Sequence, residues 1–136
     1  LIQRIKRHYN GGMFKDRDLK GQTVVITGGT DGIGAECVRH FYRLGATIIF
    51  TGRSDSKAET LIQEVTETKN STGTRLIYQK CDLSDFKDVI SAAKEIKRLT
   101  KGSGINVLMN NAGAVAGSKK TTIDKCEFTV QVNYLS

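Results

Sequence analysis

The sequence contains no proline, so its turns fall to glycine, asparagine and serine. No apolar run approaches the roughly 18 residues that a membrane span needs. The three cysteines, Cys37, Cys81 and Cys126, are scattered without a Cys-x-x-Cys pair. An odd, dispersed set argues against a disulfide framework and for a reducing compartment. His8 and His40 make no convincing metal site with them, so no metal is expected. Negative charge is also short: 14 acidic residues stand against 21 basic ones, a net charge of +7.

The imbalance is local. Residues 1–20 hold six cations against two aspartates, a net +4 of the total +7. This basic leader reads as a solvated segment or as a surface for anionic lipid head groups. No aromatic residues are interleaved as stacking platforms, so nucleic acid is not expected as a partner. Leu1 stands where a methionine would, and a helical pattern still runs at Ser136. Both features read as belonging to a longer parent chain.

From Gly21 onward the pattern is regular. Thr23–Thr27 and Ala46–Phe50 are β-branched runs that read as buried strands. Between them Ile33, Val38, Phe41 and Leu44 recur near a helical period, and Gly45 supplies the stop. Ser56 and Glu59 form a capping box for a second helix that reaches about Asn70. Residues 70–73 read as a turn, Leu76–Tyr78 as a third strand, and Ser84 as the cap of a third helix. A fourth strand spans Ile105–Met109, Asn110–Lys120 is loop, and a last helix starts near Asp124. Four strands alternating with helices predict an α/β, Rossmann-like, doubly wound parallel sheet over residues 21–136, incomplete at about four strands.

The chemistry is concentrated between the first strand and the first helix. Thr27-Gly28-Gly29-Thr30-Asp31-Gly32-Ile33-Gly34 is a glycine-rich turn opening a helix. Such a turn lets backbone approach a pyrophosphate, and the helix N-terminus offers N–H groups and a positive dipole end. At the tip of the second strand, 19 residues beyond Gly34, NAD-binding folds place an acid on the ribose. Here the residue is Arg53, followed by Ser54. A guanidinium suits a 2′-phosphate, with hydroxyls of Ser54 or Thr51 as further donors, which favours NADP(H) over NAD(H).

These motifs resemble the short-chain dehydrogenase/reductase family over nearly all of residues 20–136. The Gly28–Gly34 loop is similar to the family's Thr-Gly-x-x-x-Gly-x-Gly motif, which implies cofactor contact for Gly28, Thr30, Asp31, Gly32, Ile33 and Gly34. Cys81-Asp82-Leu83-Ser84 resembles the stretch after the third strand, implying that Asp82 and Leu83 meet the adenine. Asn110-Asn111-Ala112-Gly113 resembles the family's Asn-Asn-Ala-Gly motif, implying that Asn110, Ala112 and Gly113 line the cofactor site. Asn133 matches a helix asparagine that positions a water for proton relay, a catalytic role. The leader run Arg7–Gly12 before Leu19-Lys20-Gly21 resembles the retinol-dehydrogenase-like branch. That branch implies a lipophilic carbonyl or alcohol substrate, retinoid- or steroid-like. It also implies an anchor upstream of Leu1 on the endoplasmic reticulum membrane, facing the cytoplasm, and otherwise a cytoplasmic protein. The family further implies a homo-oligomeric parent.

The family's proton chemistry uses a serine and a Tyr-x-x-x-Lys pair. Four residues after Tyr9, Tyr42 and Tyr78 stand Met13, Ala46 and Asp82, and Tyr134 lies two residues from the end. Residues 1–136 therefore read as a cofactor-binding portion that does not turn over substrate. The competing reading is a catalytically inert NADP(H) sensor or interaction module of the same fold.

Overall fold

The computed structural model describes residues 18–67 and 74–136. Most of the basic leader and the turn at 70–73 lie outside the described residues. Strand β1 (Thr23–Ile26) lies at the centre of the sheet and is buried at all four positions. It is followed by α1 (Gly32–Arg43), β2 (Thr47–Gly52), α2 (Asp55–Glu67), β3 (Leu76–Lys80), α3 (Phe86–Leu99) and β4 (Val107–Met109). A short helix, α4 (Phe128–Val130), then runs into a π-helical turn over Gln131–Leu135.

The four strands form one parallel sheet in the order β3-β2-β1-β4. The chain winds outward from β1 through β2 to β3, then crosses back to place β4 on the other side of β1. The reversal sets a switch point between β1 and β4, where such sheets open a crevice at their carboxyl ends. The predicted fold class is therefore the observed one.

Side chains alternate across the sheet. Val24, Ile26, Ile48 and Phe50 point to one face and join Ala35, Val38 and Tyr42 of α1 with Ala58, Leu61 and Val65 of α2 in one cluster. Leu19 packs against it, and its N–H bonds the Leu44 carbonyl at 2.7 Å, tying the approach to the end of α1. The opposite face is covered by α3, whose fully buried residue is Ala92. There Val25 and Leu108 line an apolar hollow of about 600 Å³ with Val89, Ala93 and Ile96.

Several element boundaries differ from the sequence expectation. Helix α2 begins at Asp55 because Ser54, not Ser56, accepts the N–H of Lys57, at 3.4 Å. Helix α3 is capped by Asp85, which accepts the N–H of Lys87 at 2.9 Å. Ser84 instead donates both its N–H and its hydroxyl to Asp82. Adjacent small polar residues compete for one cap, and the backbone path selects among them. The last helix starts at Phe128, after a Thr121–Glu127 bridge, with Glu127 as its cap. Asp124 instead accepts from the Phe86 N–H and the Gln131 amide, at 2.8 and 2.7 Å.

Candidate functional site

At the carboxyl ends of β1, β2 and β3 lies a groove of about 800 Å³. Its floor is the loop from Thr27 to Gly34. Gly34 must be glycine: a Cβ there would meet the Gly28 carbonyl oxygen and come within 2.6 Å of the Asn111 amide. Gly32 has φ +52 and nothing within 4 Å of the Cβ position. That space is where a ligand's phosphates can approach the backbone. Asp31 caps α1, its carboxylate accepting the Gly32 N–H at 2.7 Å. The following N–H groups, of Ile33 and Gly34, open the helix without intrahelical acceptors.

A threonine and an asparagine hold this loop to the end of β4. The Thr27 hydroxyl accepts the N–H groups of Asn111 and Ala112, both at 3.1 Å. The Asn111 amide donates to the carbonyls of Thr27 and Gly28 at 3.0 and 3.2 Å. These bonds fix the cradle before any ligand arrives.

The groove brings together most of the residues singled out from the sequence. Gly28, Thr30, Asp31, Gly32, Ile33 and Gly34 form one wall, and Arg53 with Ser54 the outer end. Asp82, Leu83, Ala112 and Gly113 close the rest. Ile33, expected to begin the apolar face of its helix, is 75% exposed toward the groove side. Arg53 is exposed and forms no ion pair among the described residues. Thr51 is only 3% exposed, which leaves Ser54 as the hydroxyl at the strand tip.

Asp82 is shaped electrostatically. Burial works against its ionisation, but the N–H and hydroxyl of Ser84, with the charges of Arg53 and Lys120, outweigh it and hold its carboxyl below the usual range. Next to it, burial first, then Asp88 and Asp82, pushes the Cys81 thiol up to about 11. Cys81 is thus a neutral, inert wall at neutral pH.

Two predicted positions lie elsewhere. Asn110 lines the apolar hollow on the far side of Ala112 and not the groove. Asn133 sits at the same hollow, in the π-helical turn, and its amide is engaged twice with Ala114: it accepts the N–H at 2.7 Å and donates to the carbonyl at 3.0 Å. It anchors the loop that carries Ala112 and Gly113. Burial, then the Asp55 carboxylate, pushes the Tyr78 phenol up to about 12, so it stays protonated at neutral pH.

Sequence reasoning missed Asn111 and Lys57. Register decides which residue of the Asn110-Asn111 pair faces the glycine loop, and register is not written in the motif. Lys57 lies in the first turn of α2, and only the packing of that helix against the glycine loop brings it to the groove beside Arg53. Among the described residues no group of three histidines, cysteines or acids is placed to hold a metal.

A parallel sheet with a glycine cradle at its switch point defines a dinucleotide-binding protein. The sequence matches the short chain dehydrogenase family over residues 22–136, and the chain belongs to that family. It is 37% identical to the WW domain-containing oxidoreductase of Drosophila melanogaster, over 88% of this chain and 29% of that protein. It is 35% identical to retinol dehydrogenase 12 of Bos taurus, over 96% of this chain and 40% of that protein. Among solved structures it resembles a blue fluorescent protein from a metagenomic library in complex with NADPH. The TM-score there is 0.67 at 32% identity, covering 88% of this chain and 48% of that one. The chain thus spans less than half the length of these relatives.

Proposed function

We propose that these residues form the NADP(H)-binding portion of an oxidoreductase that moves hydride between NADP(H) and a carbonyl or alcohol. The observation that carries the reading is Arg53, an exposed guanidinium at the outer end of the groove where NAD-binding folds place an acid. The groove itself fits a dinucleotide. Its volume lies in the usual range for ligand sites, the cradle is open at Gly32, and Thr27 and Asn111 pre-order the loop.

When bound, the nicotinamide supplies or takes up the hydride. The residues present here bind and orient. The N–H groups of Ile33 and Gly34 would hold the pyrophosphate, Arg53 and Ser54 the 2′-phosphate, and Asp82 with Leu83 the adenine. Asn133 acts on this geometry through Ala114. No tyrosine within residues 1–136 has a lysine four residues on, so this portion alone does not complete the proton chemistry.

The substrate we infer is lipophilic, retinoid- or steroid-like, on the similarity to retinol dehydrogenase 12. No helix among the described residues is long and apolar enough to cross a membrane. We place the basic leader of residues 1–20 at an anionic membrane surface. Deleting it should abolish sedimentation with phosphatidylserine vesicles, and retained sedimentation would refute that placement.

Titration with both cofactors tests the central reading. NADPH should bind more tightly than NADH by at least about tenfold, the worth of a charge-assisted phosphate contact. Arg53→Ala should erase that gap. Equal or tighter binding of NADH by the unaltered chain would refute it.

A further inference from the structure

We propose that Asp31 and Lys57 form a charge gate at the 2′-phosphate end of the groove. The phosphate must draw the Lys57 ammonium away from the Asp31 carboxylate in order to bind. The inference rests on the NADP(H) reading and adds the residues that regulate its affinity.

The geometry singles out this pair. The Lys57 ammonium lies 2.5 Å from Asp31 Oδ2, joining the first turn of α2 to the cap of α1. Both residues line the groove beside Thr30, Arg53 and Ser54. The two oxygens of Asp31 have different tasks. Oδ1 is fixed by the Gly32 N–H at 2.7 Å, and Oδ2 holds the lysine. The cap keeps the carboxylate at the groove wall whether or not the lysine stays. The lysine contact and the Gly32 N–H also hold the Asp31 carboxyl below its ordinary range, so it is charged at neutral pH.

Lys57 is free to move. Its side chain is 58% exposed and that of Asp31 72%, and ion pairs so exposed contribute little to stability. The lysine stem is long and flexible, and its ammonium pairs as a point charge without a fixed fork. Arg39, a further cation beside this edge, is already held by Glu36 and Glu64, at 2.8 and 2.6 Å. Among the described residues that line the groove, Lys57 is therefore the cation available to join Arg53 on a phosphate.

A 2′-phosphate placed against Arg53 adds close to two negative charges next to Asp31. Lys57 then has two anions to choose between, and Asp31 without its lysine repels the newcomer. An adenosine ribose without that phosphate asks for no exchange, so Lys57 remains on Asp31. The pair thus moderates NADP(H) affinity more strongly than NAD(H) affinity.

Binding constants for NADPH, NADH and 2′,5′-ADP, measured by calorimetry on the full chain, test the gate. Asp31→Asn keeps a cap oxygen for Gly32 but removes the anion. It should tighten NADPH and 2′,5′-ADP by about tenfold, and by clearly more than it changes NADH. Lys57→Gln, at an exposed site, should weaken the two ligands that carry a 2′-phosphate about tenfold and affect NADH far less. In the Lys57→Gln background, Asp31→Asn should give a smaller gain than in the unaltered chain, because the competition for lysine is gone. Both effects should shrink in high salt.

Weaker NADPH binding in a folded Asp31→Asn chain would overturn the gate. So would a Lys57→Gln change that acts equally on NADPH and NADH. Arg53→Ala separates the two levels of the reading. If the unaltered chain binds NADH as tightly as NADPH, the NADP(H) reading itself fails. If Arg53→Ala erases the preference while Asp31→Asn and Lys57→Gln leave it unmoved, only the gate fails.

Discussion

The two faces of the sheet are packed to different depths. On one, Val24, Ile26, Ile48 and Phe50 meet two helices and leave almost nothing exposed. On the other, Val25 and Leu108 border a hollow of about 600 Å³ under α3, and Leu108 is 58% exposed. The cofactor groove lies across the top of both. Its glycine loop is pressed onto the filled face through Gly29 and Phe50, while its Asn-Asn-Ala-Gly loop borders the hollow. The filled face therefore sets the shape of the cradle, and the open face carries the part of the site that ends at Asn133.

That asymmetry makes graded predictions. Phe50→Ala removes a ring packed on Tyr78, with centroids 5.4 Å apart, and should cost about 3–5 kcal/mol in denaturant unfolding. A loss under about 1 kcal/mol would show that the filled face is not the main support. Gly34→Ala should leave less than about a hundredth of the NADPH affinity, by analogy with other backbone displacements at positioning sites. Its Cβ has to push the Gly28 carbonyl and the Asn111 amide apart. Unaltered binding would mean the loop yields at no cost. Leu108→Ala, on the open face, should change stability by less than about 1 kcal/mol, since an exposed side chain surrenders little burial. A cost comparable to that of Phe50→Ala would erase the contrast between the faces.

A smaller effect concerns pH. The Cys81 thiol is raised to about 11 from an ordinary 9.0. An unfolded chain ionises this thiol first and so binds fewer protons above pH 9. Its contribution to stability is constant below pH 9 and declines as the pH climbs toward 11. Cys81→Ser should flatten that decline in thermal melts recorded across the interval. An unchanged slope would place its cause elsewhere.

The strands were legible because β-branched runs closed by glycine leave few alternatives, and four alternations fixed a parallel sheet. Cap positions were less legible. Ser54 and Ser56, or Ser84 and Asp85, offer the same chemistry one or two residues apart, and the direction of the chain selects the cap. Within the site, local motifs were enough to bring the glycine loop and Arg53 to one groove, because each sits at the end of a strand that the sequence marks. They reported poorly on Asn110 against Asn111, because only strand register decides which one turns to Thr27. The link between Asp31 and Lys57 joins two helices 26 residues apart and has no local signature.

The most direct measurement is an amide-resolved NMR titration of the chain with NADPH. The account predicts shifts concentrated at residues 28–34, 53–54, 82–83 and 111–113. The same titration with NADH should lose chiefly those at Arg53 and Ser54. Shifts centred on the apolar hollow around Val89, Ile96 and Leu108, or an identical response to both cofactors, would contradict it.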